Sequence, residues 1–185
     1  MNTKSIAVFF PGIGYHNDKP LLYYSRRILS GLGYETYCVG YENLPQKIRG
    51  DKAGMDEAAK IAYGQAKEAL DALDLKDYQN VVFVGKSIGT GVAAKYAMDR
   101  NIHAKLVLYT PVEKTFSFSV KNAIAFIGTN DPWSELKEVE RLAKEQDVPL
   151  YEYEKCNHSL ECENWLENIE ILHDVMEKTL SFVNA

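Results

Sequence analysis

The chain has 185 residues, 46% of them hydrophobic and 25% charged, with 21 Lys and Arg against 26 Asp and Glu. That length suits one well-buried domain and is too short for two generous ones. The net charge of −5 argues against nucleic acid or an anionic membrane surface as partner, and three cysteines, an odd number, read as thiols of a reducing cytoplasm rather than a disulfide framework.

In chain order, short apolar runs alternate with amphipathic segments. The first strand is expected over 6–10; its apolar run is too short for a signal-peptide core and lacks a small-residue cleavage site. Asn17, Asp18 and Pro20 open a helix that Gly31 and Gly33 close, and a second strand is expected over 35–39. The stretch 40–54 reads as the longest loop and part of a site wall. Met55, Ala58, Ala59, Ala62, Ala66, Ala69, Leu70 and Leu73 then share one helical stripe. Strands are expected at 80–84, 105–109, 123–127 and 150–153. A helix after Ser134 carries Leu136, Val139, Leu142 and Ala143, and the last helix aligns Trp165, Ile169, Leu172, Met176 and Val183. No run approaches the ~20 apolar residues of a membrane span. This alternation predicts a single α/β domain over 1–185 with a mostly parallel sheet and helices on both faces, its ligands bound beyond the carboxyl ends of the strands.

The chemistry concentrates where the third strand ends. Val81-Val82-Phe83-Val84 runs into Gly85-Lys86-Ser87-Ile88-Gly89, followed by the small residues Thr90-Gly91-Val92-Ala93-Ala94. A Gly-x-Ser-x-Gly between a buried strand and a helix reads as a nucleophile elbow, in which a strained turn lifts the hydroxyl clear of the sheet. A serine hydroxyl needs a base, and the base needs a group that holds its tautomer. His158 supplies the imidazole and Asp131 the carboxylate, and both fall just past strand ends, as Ser87 does. The backbone N–H of Ile88 is the first expected oxyanion donor. The second is expected from Pro11-Gly12-Ile13-Gly14-Tyr15, with Ile13 ahead of Gly14.

These motifs resemble the α/β-hydrolase superfamily over nearly the whole chain. The resemblance implies a three-layer sandwich of about six mostly parallel strands in the order 2-1-3-4-5-6, with Ser87, Asp131 and His158 as nucleophile, acid and base. Pro11 stands where the family often has His in its oxyanion loop. The antiparallel strands that usually open the fold are absent, and the lid shrinks to about 111–122, too short for helices of its own. On this resemblance the protein is expected to be a lidless serine hydrolase acting on a small or soluble carboxylic ester or thioester through an acyl-serine. No cofactor or metal is implied, and the protein is expected to be a monomer or homodimer.

Several residues carry a second reading. Gly85-Lys86-Ser87 invites a phosphate loop, but that motif needs a glycine at position 80, which is Asn. Cys156, His158 and Cys162 lie close enough to raise a zinc site, without a fourth ligand or regular spacing. Cys156, beside the base, is a candidate for sensitivity to thiol reagents. Glu161 is a rival acid, better read as capping or orienting the last helix. Tyr15, His16, Phe116, Phe118 and Trp133 are candidates to line the substrate, with Phe116 and Phe118 forming either an acyl wall or a short edge strand. Lys86 reads by default as an exposed or helix-facing charge. The alternatives to an esterase are an acyltransferase or amide hydrolase with the same three residues, or a small-molecule binding protein without turnover.

Overall fold

Six strands form one sheet in the computed structural model, which describes residues 4–185. They are β1 (Ser5–Phe10), β2 (Glu35–Cys38), β3 (Asn80–Lys86), β4 (Ala104–Tyr109), β5 (Ala123–Gly128) and β6 (Leu150–Tyr153). Every neighbouring pair is parallel, in the order β2-β1-β3-β4-β5-β6. Residues 1–3, where the expectation of no signal peptide begins, lie outside the described residues.

Side chains alternate across each strand, so one sheet feeds two cores. Ile6, Val8, Phe10, Phe83, Leu106 and Leu108 face one way and pack on α2 (Lys52–Asp71), α3 (Ile88–Arg100) and α4 (Leu136–Glu145). Ala7, Phe9, Val82, Val84, Val107 and Phe126 face the other way, against α1 (Pro20–Gly31) and α5 (Trp165–Asn184). A sheet covered on both faces needs strands apolar throughout, which is why the inner ones read as unbroken hydrophobic runs. Among the described residues, no helix is long and apolar enough to cross a membrane.

Some boundaries differ from the sequence expectation. The helix expected from 55 starts at Lys52, because Asp51 caps it by accepting a hydrogen bond from the Gly54 N–H at 3.1 Å. The shrunken lid segment forms a 3-10 helix at Glu113–Ser117, so Phe116 and Phe118 are not in an edge strand. The stripe expected along α5 fails at its start. Trp165 is 81% exposed and Ile169 65%, and the buried residues are Val175, Met176, Thr179 and Val183. The cap of α5 is Asn164, whose side chain accepts from the Leu166 N–H, rather than Glu161.

The chain runs from β1 out to β2 and then crosses back to β3. The carboxyl ends of β1 and β3 therefore sit side by side where the winding reverses, and the loop after β1 meets the turn after β3 there.

Candidate active site

Ser87 joins β3 to α3 with φ 55° and ψ −124°, a conformation that is strained for a residue with a Cβ. The turn is held from both sides. Its N–H donates to the Tyr109 carbonyl at 2.9 Å, and its carbonyl accepts from the Thr90 N–H at 2.9 Å and the Thr90 hydroxyl at 2.6 Å. The flanking glycines are required by contact. A Cβ at Gly85 would stand 2.7 Å from Thr90 Cα, and one at Gly89 would stand 2.1 Å from the Phe10 carbonyl oxygen.

The three residues picked from strand ends meet. Ser87 Oγ lies 2.7 Å from His158 Nε2, and His158 Nδ1 lies 2.6 Å from Asp131 Oδ2. With its proton on Nδ1, the imidazole donates to Asp131 and accepts from the serine hydroxyl. The other carboxylate oxygen, Oδ1, accepts the Trp133 N–H at 2.9 Å, which fixes the carboxylate from behind. The loops after β5 and β6 are clamped together: the Asn130 N–H donates to the Cys156 carbonyl at 2.9 Å and the Lys155 N–H to Thr129 Oγ1 at 2.8 Å. The Asp131 side chain is 1% exposed and that of His158 17%. Burial first, and then the charge of Lys86, hold His158 below its ordinary pKa against the upward pull of Asp131. His158 is therefore neutral near pH 7, the state a general base requires.

Backbone donors lie close to the serine. Gly12 and Tyr15 exchange their N–H and C=O groups within the turn after β1, at 3.0 and 3.3 Å. The N–H groups of Ile13 and Gly14 have no acceptor among the described residues. The turn lies against the serine, since a Cβ at Gly12 would come 3.1 Å from Ser87 Cβ. The N–H of Ile88, first residue of α3, lies beyond the helix's own hydrogen-bond ladder.

No protein-family model matches the chain, and no curated protein matches it by sequence. Its backbone is another matter. Est1E from Butyrivibrio proteoclasticus, solved with ferulic acid bound, superposes with a TM-score of 0.72 over 99% of this chain and 91% of Est1E, at 12% identity. A lidless α/β serine hydrolase from Xanthomonas campestris gives 0.65 over 100% and 83% of the two chains, at 15% identity. An esterase from Pyrococcus furiosus gives 0.68 over 99% and 83%, at 10% identity. The chain has the α/β-hydrolase fold. In this α/β-hydrolase fold the strand order is the one the resemblance implies, and the helices on both faces are those the alternation of elements predicts.

The remaining predicted residues divide. Trp133 stacks on His158, ring centroids 5.6 Å apart, and with Ile88, Phe116 and Phe118 lines a cleft of about 810 Å³. Gly50, Asp51 and Lys52 border the same cleft, so the 40–54 stretch does contribute a wall. Tyr15 is buried, and its hydroxyl accepts from the Leu21 N–H at 3.1 Å, so it braces the loop rather than lining a surface. His16 is exposed and accepts from the Asp18 N–H at 3.3 Å. Cys156 is buried, and burial pushes its thiol up to about 11, which makes it inert to thiol reagents near neutral pH. Among the described residues no three His, Cys, Asp or Glu side chains are grouped to hold a metal.

Of the two places expected for Lys86, exposed or helix-facing, the structure gives the second and buries it. It is 1% exposed, with its ammonium 4.8 Å from the centroid of the Tyr15 ring. The signal was available in strand parity: Val82, Val84 and Lys86 share the face turned to α1 and α5. Burial drives its pKa down to about 7, while the charges of Asp131 and Glu161 pull the other way.

Replacing this lysine by methionine is expected to have two effects. The ammonium is still charged at the acidic pH where His158 titrates, so its removal in Lys86→Met raises the His158 pKa. The acidic limb of kcat/KM is expected to move to higher pH. For stability the sign is also fixed. With a folded pKa below the unfolded 10.5, the unfolded chain binds the extra proton between about pH 7 and that value. The lysine therefore destabilises most at and below pH 7 and progressively less as pH rises. Thermal unfolding is expected to show Lys86→Met more stable than wild type at pH 6, with the gap closing toward pH 10. A constant gap contradicts the buried, titrating lysine.

Proposed function

We propose that the protein is a serine hydrolase that cleaves a carboxylic ester or thioester through an acyl-Ser87 intermediate. The observation that carries this reading is the unbroken hydrogen-bond chain from Ser87 Oγ through His158 to Asp131, which begins at a strained turn beside unpaired backbone donors. The fold likeness to an esterase and a lidless serine hydrolase supports it.

In the proposed cycle, His158 Nε2 takes the hydroxyl proton as Ser87 Oγ attacks the carbonyl carbon. The oxygen that gains charge is held by the N–H of Ile88 and by that of Ile13 or Gly14. Asp131 stabilises the imidazolium without taking its proton. The tetrahedral species collapses, the carbon–oxygen or carbon–sulfur bond breaks, and the leaving group receives the proton from Nε2. Water then repeats the sequence: His158 removes its proton, hydroxide adds to the acyl carbon, and Ser87 leaves with the proton returned. No step calls for a cofactor or metal. The substrate on this reading is a small molecule rather than a nucleic acid or membrane, and the free thiols of Cys38, Cys156 and Cys162 favour a cytoplasmic site.

The test is intact-mass labelling with an ethyl fluorophosphonate, paired with a matched panel of esters, thioesters and anilides. One adduct on wild type, absent from Ser87→Ala, is expected, with esters and thioesters turned over faster than anilides. A folded wild type that takes no label rejects the hydrolase in favour of a binding protein. Turnover of anilides alone rejects the esterase in favour of an amidase.

A further inference from the structure

The cleft beside Ser87 is a groove between helices. From α2 it takes Met55, Ala59 and Tyr63, and from α3 it takes Ile88, Gly91, Val92 and Lys95. Those spacings trace one face of each helix, so the groove runs along the helix axes. Ile88 adjoins the nucleophile and Lys95 lies seven residues on, which at 1.5 Å rise per residue makes the groove about 10 Å long. Phe116, Phe118 and Leu142 supply apolar surface opposite.

The far end is plugged. The Lys95 ammonium sits 4.5 Å from the centroid of Tyr63 and 5.6 Å from that of Phe118, and it pairs with Asp99 at 2.7 Å. The Tyr63 hydroxyl donates to the same carboxylate. Nearer the rim, Lys114 pairs with Asp56 and ties the 3-10 helix to α2. Two of the cations that face the groove are thus neutralised, and the third, Lys52, is exposed. Gly91 leaves the floor bare. A Cβ there would meet nothing closer than Thr115 at 3.8 Å, so that glycine, unlike Gly85 and Gly89, is not demanded by a backbone contact.

We infer that this groove holds the acyl chain of the substrate, and that the substrate class is a medium-chain fatty-acyl ester or thioester of about eight carbons. The inference rests on the hydrolase reading above. An extended chain advances about 1.2 Å per bond, from a backbone of three bonds spanning up to ~3.6 Å per residue, so 10 Å accommodates about eight bonds. An apolar floor, with two of its three cations paired and the third, Lys52, exposed to water, suits a hydrocarbon better than a phosphate or second carboxylate. The acyl group is the part to assign there because it stays bonded to Ser87 through both half-reactions. The alcohol or thiol has to leave between them and make way for water at His158.

The experiment is a p-nitrophenyl ester series from acetate to myristate and a matching series of alkyl acetates on wild type, Gly91→Leu and Ala59→Leu, with calorimetric titration of octanoate alongside. For wild type, kcat/KM is expected to rise about threefold per added methylene up to octanoate and to stop rising beyond about ten carbons. Each variant fills the groove, and the octanoate-to-acetate ratio is expected to fall at least tenfold. If one variant unfolds, the other decides.

A ratio unchanged in a folded variant overturns the proposal, as does a wild type that prefers acetate. A chain-length preference seen only among alkyl acetates also overturns it and assigns the groove to the alcohol. The hydrolase reading fails separately, through absence of fluorophosphonate label. In that event octanoate binding alone judges the groove: binding weakened about tenfold by Gly91→Leu keeps it, and no binding removes it.

Discussion

Alanine at Ser87 or at His158 is expected to lower kcat by about 10⁵–10⁶-fold, and the double variant is expected to lose no more than either single one. The reason is the length of the contacts. At 2.7 Å the imidazole accepts directly from the hydroxyl, so removing either partner removes the same proton transfer. Asp131→Asn is expected to cost less, about 10⁴-fold, because the amide presents N–H to a ring nitrogen that should itself donate, and so selects the wrong tautomer. The residual rate of all three comes from the backbone donors of the oxyanion site. Steady-state kinetics on a fluorogenic ester, with circular dichroism to verify folding, checks the set. A folded His158→Ala that keeps activity within tenfold of wild type would sink the proposed mechanism.

The second large effect is on stability, and it isolates one atom. Gly89→Ala places a Cβ 2.1 Å from the Phe10 carbonyl oxygen and 2.6 Å from that of Pro11, both backbone at the end of β1. Neither can move without displacing the turn that carries Ile13 and Gly14. The expected cost is about 3 kcal/mol or more, which in a domain of this size lowers the melting temperature by roughly 10 °C. Gly91→Ala is the internal control, two residues along the same helix, with only ordinary contacts at 3.8–4.0 Å. It is expected to gain up to about 1 kcal/mol of helix propensity. Differential scanning calorimetry of the pair settles the matter: if both glycines tolerate alanine equally, the close packing of α3 on β1 is not as described.

Much of this is legible in the amino-acid sequence alone. The strands at 80–84, 105–109 and 123–127 stood out as apolar runs because a sheet covered on both faces has no polar side to interrupt them. The elbow was readable because a nucleophile on a strained turn needs glycine on either side, and the three-dimensional contacts of Gly85 and Gly89 supply the reason. Ser87, Asp131 and His158 could be picked out because each comes just after a strand, and parallel strands deliver their ends to one edge.

Other features had no local signature. Residues Trp165 and Ile169 fit the helical stripe of α5, yet the opening turns of that helix run where no other described segment covers them. Lys86 is buried with its ammonium near the ring of Tyr15, which comes from a loop far away in sequence. The groove between α2 and α3 is a product of how two helices lie, and neither helix alone encodes a cavity.

By itself, then, the sequence determined the alternation of elements, the identity of the nucleophile turn and which residues stand at strand ends, since these depend on neighbours along the chain. Only the tertiary structure decided the charge state near His158, the free donors at Ile13 and Gly14 and the shape of the groove. Each of those depends on desolvation and contacts between segments far apart in sequence, and a short stretch of sequence carries no record of them.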